Sequence, residues 1–343
     1  MRPLISVSLL LYRPGAYLEP CLASILAQSY DNFELLIIDN NSGDGTAERV
    51  KEIIAKAQKT GQENLFRKII INEVNIGFAA GQNQGIRESR GELVVMVNQD
   101  VVLDGDFLKQ AAEIFNNEKI GSLQAKILRL KIEGVNFLKT DIIDTTGLVI
   151  LKNRRIIARG QGRQDGGQYD KKEEIFGVDG AVPVYRRAAL EDAKVDGEYF
   201  DEDFYMYKED VDLAWRLRLF DWEARYEPRA IAWHARTAGD SAATNYLGII
   251  SERQKINKFG KYHSFKNQRL MQLKNEQSVL LARHLVYWLP KELASWFYVA
   301  LFERYTWWAI KELFRLAPRA WEKRKIIMER KKATAEEIRK WFR

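Results

Sequence analysis

Leu93-Val94-Val95-Met96-Val97-Asn98-Gln99-Asp100 is the stretch that decides the fold. Five large apolar residues follow closely on Gly91 and stop at two amides and an acid, the pattern of a short strand buried on both faces of a sheet. Ligands of open α/β sheets lie outside the carboxyl ends of such strands, so Asp100 stands where a ligand would sit. An acid-capped strand with no ligand reads the same from these residues alone, and the flanking stretches separate the two.

Immediately upstream, Asn75-Ile76-Gly77-Phe78-Ala79-Ala80-Gly81-Gln82-Asn83-Gln84-Gly85 places a glycine every fourth residue. That spacing is neither a dinucleotide fingerprint nor a P-loop. Such small residues let backbone approach a ligand, or let a helix pack closely on the sheet. Further back, Leu4–Tyr12, Phe33–Ile38 and Lys68–Ile71 read as strands, with helices over Tyr17–Gln28 and Ala47–Lys59 between them. Asp39-Asn40-Asn41-Ser42-Gly43-Asp44-Gly45-Thr46 supplies loop chemistry after the second strand. Alternating strands and helices predict a parallel, doubly wound sheet.

Downstream of Asp104-Gly105-Asp106 the pattern turns α+β. A helix spans Phe107–Phe115, and short strands at Gly147–Leu151 and Arg155–Ala158 are expected to extend the same sheet. Gly160–Gly167 reads as a mobile surface loop, and Val178–Tyr185 leads into a helix from Arg186. Phe200–Arg216 then sets six acids among aromatics, with Glu209-Asp210 opening a helix. Acids suit a helix N-terminus, but acids packed among Phe204, Tyr205 and Tyr207 would also be tuned for proton abstraction. His234 ends the strand Ala230–Arg236.

The chain has 343 residues, 46% apolar and 29% charged, enough for about two structural units. The net charge of +7 is unevenly placed: residues 251–343 hold 22 Lys/Arg against 9 Asp/Glu, and the remainder 32 against 38. Cys21 is the single cysteine, so no intramolecular disulfide forms, which fits a reducing compartment. The short apolar run before Arg13-Pro14 neither spans a membrane nor resembles a cleaved signal, and a cytoplasmic location is expected. Residues 251–343 read as helices rich in Trp and Tyr, interrupted by Pro290 and Pro318, with no membrane span. Basic helices with Trp and Leu faces suit in-plane association with an anionic membrane surface. The alternatives are packing on the rest of the chain or a homodimer. No nucleic-acid module is present.

Taken in order, these stretches resemble the inverting family 2 glycosyltransferases of GT-A fold, and within them the rhamnosyltransferase-like branch. The resemblance covers roughly Leu4 to Ala238 and rests on the ordered set: Tyr12, Asp39-Asn40-Asn41-Ser42, Asn75-Ile76-Gly77-Phe78-Ala79, Asn98-Gln99-Asp100, Gly180-Ala181, Phe200-Asp201-Glu202, Tyr207–Leu213 and His234. It implies a Rossmann-like mixed sheet over residues 1–250, with a nucleotide-binding half at about 1–104 and an acceptor half at 105–250. Residues 251–343 form the helical extension. It also implies roles. Asp39 would accept from the nucleotide base, with Tyr12 and Asn41 in that pocket, and Asn75 and Gly77 against the nucleotide and ribose. Asn98, Gly180 and Ala181 would also contact the nucleotide-sugar. Asp100 and His234 would hold Mg²⁺ or Mn²⁺, and Asp210 would be the base, with Glu209 beside it.

The sequence departs from the family pattern twice. Asn98 stands where an acid usually precedes the last metal acid, an exchange found in relatives handling deoxysugars. Arg13 stands where Asn often follows the strand tyrosine. The expectation is an enzyme moving a sugar, plausibly rhamnose from dTDP-rhamnose, to a polysaccharide or polyprenyl-linked acceptor at the inner face of the membrane. The alternatives are a nucleotidyltransferase and a non-catalytic scaffold of the same fold.

Overall fold

The computed structural model describes residues 2–58, 66–133, 136–236, 239 and 242–343. β1 (Ile5–Leu11), β2 (Phe33–Asp39), β3 (Phe66–Ile71) and β4 (Leu93–Asn98) are parallel and lie in the order β3-β2-β1-β4. α1 (Leu18–Leu26), α2 (Thr46–Gln58) and α3 (Phe78–Glu88) connect them. β4 is sandwiched as its apolar run requires. Leu93, Val95 and Val97 face one core with Leu22, Val50 and Phe107, while Val94 and Met96 face a second core with Ile86 and Trp215. Because β2 and β4 leave β1 on opposite sides, a crevice opens at the carboxyl ends of these strands.

The four-residue glycine spacing is mainly a packing device. A Cβ on Gly81 would meet the Leu10 side chain at 2.7 Å, and one on Gly85 would meet Ser8 Oγ at 2.1 Å. α3 therefore lies flush on β1.

The second half widens the sheet. β5 (Val101–Leu103), α4 (Phe107–Ile114), β6 (Ile120–Glu133) and β7 (Asn136–Thr145) follow β4. The two long strands were not foreseen, because buried Gln124 and Lys126 interrupt the apolar alternation of β6. β8 (Leu148–Ile150) and β9 (Ile156–Ala158), expected in the main sheet, instead form a separate antiparallel ribbon. The expected mobile loop at Gly160–Gly167 is tied down. Ile143 N–H bonds Arg163 O at 2.8 Å, Asp165 N–H bonds Asp141 O at 2.7 Å, and Lys126 pairs with Asp165 at 2.7 Å. β10 (Glu173–Ile175), β11 (Val184–Arg186), α5 (Arg187–Asp192), α6 (Glu209–Leu219) and β12 (Glu223–His234) complete the mixed sheet.

α7 (Tyr246–Lys255), α8 (Lys258–Asn275), α9 (Ser278–Arg283), α10 (Leu285–Phe302), α11 (Trp307–Arg330) and α12 (Ala335–Arg339) form the basic, aromatic end of the chain. Pro290 and Pro318 do not interrupt it; each lies inside a continuous helix. A proline removes one helical hydrogen bond, and Leu313, Leu316 and Ala320, packed on either side of Pro318, hold α11 together. Leu270, Met271, Leu280, Ile327 and Phe342 share one core with Trp215 and Tyr226 of the α/β body.

Buried charge reinforces that union. Lys274 bonds both Asp201 and Asp212, and Lys323 bonds Asp201 at 2.6 Å. All four residues are at most 4% exposed. Replacing Lys274 by Met should cost about 3 kcal/mol in denaturant unfolding, because it leaves Asp212 and Asp201 short of a buried partner. A loss below about 1 kcal/mol would show that the network does not hold the helices down.

Candidate active site

One cleft of about 1100 Å³ opens at the carboxyl ends of β1 and β4. Tyr12, Asn75, Gly77, Asn98, Asp100, Gly180, Ala181, Glu209, Asp210 and His234 all line it. Asp39 and Asn41 do not. Asp39 is buried, accepting Ser42 N–H at 2.9 Å, and Asn41 is exposed in a left-handed conformation behind the wall.

The organising residue of that corner is Asn40, which the motif reading passed over. Its amide nitrogen donates to Asn75 Oδ1 at 2.9 Å and Gly77 O at 3.2 Å, and its oxygen accepts Ile76 N–H at 3.1 Å. Arg13 also belongs there. Its N–H meets Ser42 Oγ and its Nε meets Ser42 O, both at 3.0 Å, so it clamps the end of β1 to the loop after β2. Gly77 is bare for a different reason from Gly81. A Cβ there would sit 2.5 Å from the Tyr205 ring, and the backbone has φ +88°.

Strand register builds the other end. β12 pairs with β5 so that His234 lies opposite Val101, and Ala235 N–H bonds Asp100 O at 3.0 Å. His234 Nε2 is then 3.3 Å from Asp100 Oδ1, while Nδ1 lies 2.9 Å from Asp144 Oδ2. Arg236 holds the other Asp144 oxygen. Burial alone would depress His234, but the two flanking carboxylates outweigh it and raise it to about 10. Asp144, unmarked in the sequence, fixes the ring and directs Nε2 toward Asp100, the arrangement commonly found behind metal-bound histidines. Asn98 Oδ1 is buried without a partner at the same strand end. These oxygen and nitrogen donors fit Mg²⁺ or Mn²⁺. Among the described residues, no group of three or more His, Cys, Asp or Glu converges as a complete protein cage.

Asp179-Gly180-Ala181 joins the two ends. Ala181 O accepts Asn98 N–H at 3.0 Å, Asp179 reaches Arg236 at 3.5 Å, and Gly180 N–H donates to Asp210 Oδ2 at 3.0 Å. Val211 N–H holds the other Asp210 oxygen at 2.8 Å. Burial and the charge of Asp179 push Asp210 up, with Lys208 and the two N–H groups opposing. Burial and Asp210 push the Glu209 carboxyl up further, and its Oε2 has no partner. Both carboxyls are therefore poised for proton transfer at the first turn of α6.

The acid-rich stretch divides cleanly. Asp201 and Asp212 bind the buried lysines, Asp203 accepts from Arg319 at 2.9 Å, and Glu202 accepts from Asn83 at 2.9 Å. Only Glu209 and Asp210 of the six face the cleft.

Just before them, Tyr205, Tyr207 and Lys208 adopt φ of 62°, 73° and 73°. Such strain persists only where the surroundings impose it. Asn267 on α8, fully buried, imposes it by donating from Nδ2 to the carbonyls of Phe204, Met206 and Tyr207 at 2.9, 2.8 and 2.7 Å. Tyr205 O in turn accepts the N–H groups of Phe78 and Ala79 at the start of α3. Asn267→Ala should lower stability by about 2 kcal/mol and cut turnover more than tenfold, with nucleotide affinity within about threefold. Unchanged turnover would contradict a positioning role for Asn267.

The sequence model described as "Glycosyl transferase family 2" matches residues 6–193. The poly-beta-1,6-N-acetyl-D-glucosamine synthase of Staphylococcus epidermidis is 29% identical over 230 residues, covering 67% of this chain and 49% of that protein. The Staphylococcus aureus (strain COL) synthase is 26% identical over 231 residues, with the same coverage. The chain thus spans about half the length of these curated relatives. Among solved structures, the mannosyltransferase PcManGT of Pyrobaculum calidifontis, in complex with GDP-Man and Mn²⁺, superposes with TM-score 0.54 at 16% identity, covering 94% of this chain and 87% of that one. S. aureus TarS 1-349 gives TM-score 0.52 at 16% identity, covering 95% and 90%. These likenesses establish a GT-A-type fold. The family match covers more than half of the sequence, and the chain belongs to glycosyltransferase family 2.

Proposed function

We propose that this protein transfers a sugar, with inversion, from a nucleotide diphosphate donor to a hydroxyl of a glycan acceptor in polysaccharide synthesis. The observation that carries this reading is the cleft with Asp100 and His234 at one end, Asp210 at the other and Asp179–Ala181 running between them. Tyr12, Asn75 and Gly77 would receive the nucleoside, with Asp39 and Asn41 supporting that wall from behind. Gly180 and Ala181 would lie under the sugar. Asp210 would take the proton of the attacking hydroxyl on the face opposite the leaving diphosphate. Glu209, deeper and more strongly held protonated, is the weaker candidate.

Asp100, His234 and Asn98 would hold a divalent ion, whose charge, when bound, stabilises the departing diphosphate. PcManGT and GalNAc-T7, a neighbour at TM-score 0.56 and 13% identity, are both described with Mn²⁺. Two observations bear on the sugar. Asn98 in place of an acid favours dTDP-rhamnose, whereas identity with N-acetylglucosamine polymer synthases favours a UDP-linked N-acetylhexosamine. The second rests on the longer stretch of sequence, and we adopt it.

With Asp210 raised to about 6, kcat/KM should be level above pH 7 and fall about tenfold per unit below pH 6, as the base becomes protonated. Asp210→Asn should lose about a thousandfold in turnover while binding nucleotide normally. A profile flat down to pH 5, or a variant of near-native turnover, would refute the base assignment.

No helix among the described residues is long and apolar enough to cross a membrane. Leu293, Phe297, Phe302, Trp308 and Phe314 are more than 60% exposed on α10 and α11, beside many basic residues. We assign this face to the surface of an anionic bilayer. Deleting the helices would remove part of the protein core, so point substitutions make the cleaner test. Phe297→Glu with Trp308→Glu should weaken binding to anionic vesicles about tenfold or more, with folding stability changed by less than about 0.5 kcal/mol. Equal vesicle binding would exclude this face.

A further inference from the structure

A smaller cavity of about 290 Å³ shares the turn between β8 and β9 with the cleft. Lys152 lines it, together with His284, Phe342 and the α12 end residues Glu336, Arg339 and Lys340, whereas Asn153 and Arg155 of the same turn line the cleft. Arg154 stands between them, fully buried and at φ +66°. The turn is tight: Arg154 N–H bonds Leu151 O at 2.7 Å, and Leu151 N–H bonds Arg155 O at 2.9 Å. The cavity lies at the small end of the range for bound small molecules.

Arg154 settles the state of His284. Its Nε and Nη2 donate to Glu276 at 2.7 and 2.9 Å, and its Nη1 lies 2.9 Å from His284 Nδ1. A guanidinium has no acceptor, so Nδ1 must accept and the ring hydrogen sits on Nε2. Burial and the charges of Arg154, Lys152, Arg339 and Arg283 keep the ring neutral. His284 is only 5% exposed, and its Nε2–H has no hydrogen-bond partner among the described residues. An N–H so buried costs free energy until an acceptor reaches it.

The carboxylates of the neighbourhood are already engaged. Glu276 holds Arg154, and Glu336 is shared by Arg283 and by Arg339 at 2.7 Å. Glu337 accepts Thr334 N–H and Oγ1–H at 2.7 and 2.8 Å. Lys340 acts on Glu337 from a distance, but neither it nor Lys152 forms an ion pair among the described residues. Lys152 lies over the Tyr287 ring at 5.5 Å and Lys340 over Trp341 at 5.1 Å. Two ammonium groups and one N–H donor therefore remain. A neutral ligand would leave both charges unanswered, and a carboxylate has one oxygen too few for three donors.

We propose that this cavity, separate from the catalytic cleft, binds a phosphate group, with Lys152, Lys340 and His284 Nε2–H as its donors. The phosphate comes either from a small soluble compound or from a lipid headgroup, since Leu285, Val286 and Tyr287 at the start of α10 are exposed next to His284. Seated there, it braces the turn that carries Asn153 and Arg155 into the cleft. The site does not depend on which sugar or acceptor the cleft takes.

The test is the imidazole ¹⁵N spectrum of the full chain, which has three histidines, with His284→Gln identifying the Nε2 resonance by its loss. Inorganic phosphate, pyrophosphate and the soluble lipid dihexanoyl phosphatidic acid are each titrated at constant ionic strength near neutral pH. At least one should shift that resonance saturably. Lys152→Met and, separately, Lys340→Met should each weaken the binding about fivefold or more, with melting temperatures confirming folded protein. Phosphatidic acid binding about tenfold or more tighter than pyrophosphate would assign the site to a lipid headgroup, and any smaller preference to a soluble phosphate compound. No shift with any of the three, or equal affinity in wild type and both lysine variants, would overturn the proposal. Amide exchange over residues 151–155 should slow on binding, and unchanged exchange would overturn the bracing of the turn.

Discussion

Asp201 and Asp212 lie in the interior of the protein, and Lys274 and Lys323, brought from α8 and α11, are what make that arrangement tenable. Burial would push the Asp201 carboxyl up, and the two ammonium groups pull it well below the usual range. Arg216 and Asn275 complete the set on Asp212 at 3.1 and 2.8 Å. A buried ion pair of this kind adds little net stability, but removing one partner is costly, so it specifies which helix lies where. Part of the positive charge at the end of the chain is thus committed to the α/β body.

The consequence reaches the chemistry. α8, seated by Lys274, presents Asn267 to the strained turn that precedes Asp210. That turn closes over the N-terminus of α3 through Tyr205 O, where Gly77 precedes the helix at the cleft. At the far end, pairing of β12 with β5 sets His234 against Asp100. Asp210 therefore depends on the C-terminal helices and the Asp100–His234 end on the sheet, with Asp179–Ala181 spanning the gap. The same helices wall the cleft toward solvent, with Ile249, Ile250, Phe297 and Phe302 among the lining residues.

What the sequence carries and what it hides follow from distance along the chain. The run Leu93–Val97 announces a buried strand locally, because each residue must be apolar whichever core it faces. Asp100, Asp210 and His234 were legible as an ordered set. The glycine spacing announced close packing but not its partners: Ser8 and Leu10 meet Gly85 and Gly81, while the Tyr205 ring meets Gly77. Asp144 and Asn267 were hidden, since each acts through a partner brought close by folding and neither sits in a pattern of its own; Asn40 lay inside a quoted motif, but its bonds to Asn75, Ile76 and Gly77 appear only on folding. The six acids of Phe200–Arg216 look alike in sequence, and only the lysines, arginines and Asn83 that meet four of them show which two face the cleft. β6 and β7 escaped for a related reason: Lys126 reads as a surface residue until Asp165 and Asp170 are placed beside it.

The central claim is that the end of the cleft built by Asp100, His234 and Asn98 receives a nucleotide diphosphate together with a divalent ion. Calorimetric titration of UDP, GDP and dTDP, each with and without Mn²⁺, tests it most directly. One nucleotide, UDP on the present account, should bind in the micromolar range with Mn²⁺ and about tenfold or more weakly without it. No binding of any of the three, or binding indifferent to Mn²⁺, would contradict the account.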